Sequence, residues 1–106
     1  MIEITYYRKT HRVTVKGHAG SAEEGKDLVC AGVTALCYTL GLNVQELAKS
    51  KHVRRPKVKL WKGMADIACD PVHEMQAVVT AIFDSMAMGL EYIAANNPLY
   101  ARYEIK

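Results

Sequence analysis

Residues 2–7, IEITYY, alternate apolar and polar positions, so Ile2, Ile4 and Tyr6 share one face as in a half-buried strand. The run HRVTVKG repeats the alternation through Val13 and Val15, which predicts a hairpin turning near Arg8 to Thr10. Gly17 to Gly25 reads as a loop from its glycines. From Asp27 the period changes: Val29, Val33, Leu36, Leu40, Val44 and Leu47 fall on one side of a helix. Gly41 weakens that helix by about 1 kcal/mol and is a place for it to end or bend. The segment from Lys49 to Lys59 then reads as a basic linker, with Pro56 stopping any helical continuation.

Two short strands follow, KVKLW and MADIACD, joined at Lys62-Gly63 by a tight turn. Asp70-Pro71 supplies the signature of an N-cap and first-turn proline. Met75, Val79, Ile82, Met86, Leu90 and Ile93 repeat the helical spacing, and Asn96-Asn97-Pro98 closes that second helix. LYARYEI ends the chain as an alternating strand. The order β-β-α-β-β-α-β predicts an α+β fold with two helices packed on one face of a mixed sheet. Strand order is not readable at this level.

A length of 106 residues bounds the chain to one domain, 1–106, with enough interior to fold without staples, burying about 65% of its unfolded surface. No secretory leader pattern and no run of 18 apolar residues is present, so the chain reads as soluble and cytoplasmic. Three cysteines is an odd count, and Cys30 and Cys37 stand two helical turns apart, roughly 10 Å. Free thiols in a reducing compartment are expected rather than a disulfide framework. Net charge is +3, with six Lys and Arg residues between Lys49 and Lys59. A solvated basic segment is the bland account of that cluster; an RNA-facing patch is the alternative.

The chemistry lies in KGHAGSAEEGKDLVCAGVTAL, residues 16–36. His18 comes where the second strand ends. With Asp27 as N-cap, Cys30 occupies the third residue of the first helix, where unpaired N–H groups favour an anion. A thiol placed there has its pKa lowered, more so beside an imidazolium, and the thiolate is the form that attacks carbonyls. The free amides at the helix start, including that of Cys30, could hold an oxyanion. His18 is the natural proton donor and acceptor. Gly17, Gly20 and Gly25 frame a candidate substrate loop, with GSAEEG as a flap. Asp27 is explained by capping alone; an orienting role toward His18 is its functional alternative. Thr34 stands one turn after Cys30 on the same side, where a helix-interior Thr usually bonds its own i−4 carbonyl. A capping box of Ser21 with Glu24 would start the helix earlier and leave Cys30 mid-helix, but Gly25 interrupts that run. Seven His and Cys residues contain no Cys-x-x-Cys and no His pair at i, i+4, so no metal or other cofactor is expected.

GHAG, the twelve-residue step from His to Cys, and DLVCAGVTAL together resemble the ribosomal-processing cysteine protease family, Prp. The resemblance runs over nearly the whole chain and implies the same β-β-α-β-β-α-β order. It implies removal of the N-terminal extension of a large-subunit ribosomal protein (number twenty-seven), cut after paired aromatic residues. It implies His18 as catalytic histidine and Cys30 as nucleophile, and a homodimer with a mobile loop beside the site. Asp27 matches a motif position, and Thr34 replaces the family's usual Ser; both carry a hydroxyl, so the resemblance implies an accessory polar role for Thr34. Tyr6, Tyr7, Trp61 and Met64 are candidates for an apolar substrate groove. The rival reading is a non-catalytic RNA- or ribosome-binding module using the 49–59 segment. Against it, KGMADIAC has Met64, Asp66 and Cys69 where an RNA-recognition strand needs stacking rings.

Overall fold

The computed structural model describes residues 1–18 and 27–106. Its elements are β1 (Ile2–Tyr7), β2 (Arg12–Lys16), α1 (Leu28–Lys49), β3 (Val53–Trp61), β4 (Met64–Pro71), α2 (Gln76–Asn96) and β5 (Ala101–Ile105), with one 3₁₀ turn at His73–Met75 before α2. The five strands form one sheet in the order β3-β4-β2-β1-β5. Every neighbouring pair is antiparallel except β1 and β5, which run parallel. The sheet is therefore mixed, as the element order predicts.

Both helices lie on one face, for a topological reason. α1 carries the chain from β2 past β4 to β3, and α2 carries it from β4 past β2 and β1 to β5. These crossovers travel opposite ways from oppositely directed strands, and two such connections of the same hand fall on the same side of the sheet. The alternating residues Ile2, Ile4, Tyr6, Val13, Val15 and Ile67 point into that layer and are buried. From above they meet Val29, Val33, Cys37, Leu40 and Val44 of α1, and Val79, Phe83, Ala87 and Leu90 of α2. Each large side chain so buried contributes about 1.5–3 kcal/mol. By length and composition either helix could cross a membrane; here the apolar stripe of each is spent on the sheet.

Three local expectations are corrected. Gly41 does not end α1, which runs on to Lys49. It is buried, and a Cβ there would meet Val58 Cγ1 at 2.9 Å, so the missing side chain lets the helix approach β3. The basic segment 49–59 is no linker: after the end of α1 it becomes the outer strand β3. Pro56 sits in that strand where the register slips between Arg54 and Lys57, and Arg55 has φ +49°. An outer strand tolerates the missing N–H, and a bulge with charged side chains protects an exposed edge from pairing. Part of the basic charge is also consumed at home, Arg55 on Asp70 and Lys57 on Asp66 at 3.5 Å. Finally, Asp70 and Pro71 do not cap α2. They extend β4, opposite Arg54 and Val53, and α2 begins only after the 3₁₀ turn.

The face away from the helices is polar. Arg12 holds Asp66 through two hydrogen bonds of 2.9 Å, and this pairing keeps the Asp66 carboxyl below the usual range. On the helix side, where β1 runs out into Arg8, the Arg8 guanidinium and the buried Tyr6 hydroxyl, which donates at 2.7 Å, do the same for Asp84 of α2. His11, buried and bonded to the Thr80 hydroxyl at 2.8 Å, is pushed down by burial. All three shifts lower the folded-state value, so the unfolded chain binds more protons in acid, and stability rises with pH. Urea midpoints are expected to decline as pH drops below the ordinary histidine value of 6.5 and again below the ordinary carboxylate value of 3.8. Asp66→Asn should flatten the second decline; an unchanged acid limb would refute this origin.

Candidate active site

Helix α1 begins where the sequence pattern puts it. Asp27 has extended backbone (φ −81°, ψ 95°), and its Oδ1 accepts the Cys30 N–H at 3.0 Å, while its carbonyl accepts the Ala31 N–H at 3.0 Å. Cys30 is thus the third helical residue, in the first turn, half-buried. The capping bond has a chemical consequence that corrects one expectation. The Cys30 amide is already engaged, so the helix-start donors without an intrahelical acceptor that remain are those of Leu28 and Val29.

His18 stands just past the end of β2. Its carbonyl accepts a hydrogen bond from the Met1 amino group at 2.7 Å. The preceding residue, Gly17, has φ +96°, and a Cβ on it would sit 2.3 Å from the Met1 carbonyl oxygen. Beside its expected role, close approach to a bound peptide, Gly17 makes a close approach to the chain's own first residue. Its N–H donates to the Gly63 carbonyl at 2.8 Å. Gly20, Gly25 and the GSAEEG flap lie outside the described residues.

His18 and Cys30 line one cavity of about 360 Å³. One wall is α1, with Cys30, Val33, Thr34, Cys37 and Tyr38. A second is the strand end, Ile2, Gly17 and His18. The third is the β3–β4 hairpin from Leu60 to Ala65, with Trp61 and Met64. The structure therefore brings together Cys30, His18 and Thr34, and sets Asp27 at the mouth of the helix. Of the four aromatic and Met candidates for a groove, Trp61 and Met64 line it. Tyr6 is in the core against Phe83, and Tyr7 is on the polar face beneath Arg12. The hairpin tip is an addition that periodicity could not supply, because it reaches the site through the pairing of Lys16 with Met64; Val33 and Tyr38 reach it along α1, three and eight residues after Cys30 on the same helical face.

The other two thiols are chemically silent by burial, which pushes both Cys37 and Cys69 up to about 11. An alkylating agent at pH 7 is expected to modify Cys30 first, with Cys37 and Cys69 protected until the chain is unfolded; equal labelling of all three by peptide mapping would contradict the burial. Among the described residues no group of three or more His, Cys, Asp or Glu side chains is placed to hold a metal ion.

Residues 1–102 match the family described as cysteine protease Prp. Among solved structures, the S. aureus essential ribosomal processing protease Prp with a covalently linked product peptide is similar at a TM-score of 0.74. It shares 24% identity, over 99% of this chain and 97% of that one. The same S. aureus protease with a substrate peptide gives a TM-score of 0.67 and 23% identity, over 99% and 97% of the two chains. The Streptococcus mutans protein SMU.848 gives 0.66 and 24%, over 98% and 90%. No curated protein matches the sequence.

Proposed function

The chain belongs to the cysteine protease Prp family, and from that premise we propose that it is a ribosomal-protein processing endopeptidase. In this reading it removes the N-terminal extension of large-subunit ribosomal protein number twenty-seven, cutting after paired aromatic residues. The observation that carries it is the shared cavity: a cysteine in the first turn of a helix and a histidine at a strand end line one apolar-walled cleft.

The mechanism follows from that placement. The helix start and an imidazolium stabilise the Cys30 thiolate, which attacks the scissile carbonyl carbon. The tetrahedral oxyanion is held by the Leu28 and Val29 amides. As the C–N bond breaks, His18 gives its proton to the leaving amine and an acyl-enzyme remains. Water, deprotonated by His18, attacks the thioester, releases the acid and restores the ion pair. Asp27 acts by capping; its negative charge opposes the thiolate, so Asp27→Asn, which keeps a cap of equal rank, should speed low-pH alkylation of Cys30. An orienting role for Asp27 would instead make that variant slow in cleavage.

Trp61, Met64, Tyr38 and Val33 make the cleft suited to flat apolar side chains. A peptide containing Phe-Phe-Ala in an extension-like context should be cut after the second Phe, read by mass spectrometry, and replacing both Phe by Ala should abolish the cut. Equal cleavage of both peptides would overturn the aromatic specificity. The same reading sets the enzyme in the cytoplasm with its substrate. It also takes the enzyme as a homodimer, supported by the outward helix face. Leu28, Leu42, Met88 and Tyr92 are exposed there, and α1 carries no charged residue from Leu28 to Val44.

A further inference from the structure

The β3–β4 turn is a two-residue connection, Lys62-Gly63, closed by the pairing of Trp61 with Met64. Its tip meets the histidine of the site. A Cβ on Gly63 would lie 2.6 Å from His18 Nε2, 3.0 Å from Cε1 and 3.5 Å from Cδ2. One edge of the imidazole therefore rests on the bare Cα of Gly63, in space that any side chain would occupy. The backbone ties the same two segments, through the Gly17 N–H donating to the Gly63 carbonyl at 2.8 Å.

We propose that Gly63 is a positioning residue for His18: the hairpin tip is the surface against which the imidazole is set to face Cys30. This rests on the proposed function, since it needs His18 to be the proton carrier. Two physical points carry it beyond ordinary turn chemistry. Gly63 has φ +76°, which by itself explains a glycine or an asparagine there. The 2.6 Å approach explains glycine alone, because an asparagine would satisfy the backbone and still displace the ring. The turn also belongs to the wall that carries Trp61 and Met64. A peptide pressing on that wall thus presses on the rest of the histidine, which links side-chain recognition to the placing of the proton carrier.

The test exploits the difference between the two demands. Gly63→Ala violates both; Gly63→Asn violates only the second. The melting temperature of Gly63→Asn should stand closer to wild type than that of Gly63→Ala. Both variants should lose on the order of 10–100-fold in kcat, with KM changed far less, as expected for a misplaced catalytic group. The pH profile of Cys30 alkylation should move upward in both, toward that of His18→Ala, as the imidazolium loses its hold on the thiolate. Gly63→Asn with wild-type kcat and an unshifted alkylation profile would overturn the proposal, leaving only a turn requirement. If His18→Ala itself cleaves at the wild-type rate, the proposed function fails first, and the two failures are distinguishable.

Discussion

Cys30→Ala is expected to abolish peptide cleavage, by on the order of 10⁴-fold or more, while the protein melts as the wild type does. The loss is large because no other thiol can take over. Cys69 lies in β4 and does not line the cavity, and Cys37, which does, sits two turns further along α1 and is held protonated by burial, up to about 11. The fold should tolerate the change, since Cys30 is only half-buried and its N–H keeps its bond to Asp27 whatever the side chain. His18→Ala should fall by a comparable factor, and the double variant should lose little more than either single one, because the two groups act as a unit. Turnover is followed by mass spectrometry and folding by thermal melting. Cleavage by Cys30→Ala within about tenfold of wild type would remove the thiolate mechanism.

Phe83→Ala is the change expected to cost the fold most. Phe83 is fully buried at the junction of α2 and the sheet. Its ring lies near-parallel to Tyr6 (16°, 6.4 Å between centroids) and meets His11 edge-on at 5.8 Å. Removing it leaves a cavity beside two polar-tipped rings that are held elsewhere, Tyr6 by Asp84 and His11 by Thr80. These anchors restrict collapse into the void, so a loss of about 3–5 kcal/mol is expected. Against a total of about 5–15 kcal/mol that is roughly a fifth of the stability or more. Urea unfolding should show a lower midpoint at an unchanged slope; a shift worth less than about 1 kcal/mol would mean the site closes on itself after all.

Local order was legible wherever one face of an element is buried. Ile2, Ile4 and Tyr6 announce β1, and the two helical stripes announce α1 and α2, because burial on one side imposes period 2 or 3.6 on the sequence. Asp27 was legible for a different reason: a helix start leaves amides that only a nearby acceptor can satisfy, and Asp is a good one. The misreadings share a cause. Lys49 to Lys59 and Asp70-Pro71 carry strong local signals, charge and proline, that the pairing of β3 with β4 overrides. An outer strand needs fewer N–H donors and uses charge to stay unpaired, so β3 hides beneath the composition of a linker.

The two groups on which the proposed chemistry rests were marked in the sequence: a helix-start cysteine and a histidine at the end of a strand are local features, specified by capping and periodicity. Which surfaces surround them was decided only by tertiary pairing. Lys16 lies opposite Met64, and this single long-range register carries the Lys62-Gly63 turn to His18 and Trp61 to the cavity. Strand order and register depend on contacts between segments some fifty residues apart, and no local period encodes them.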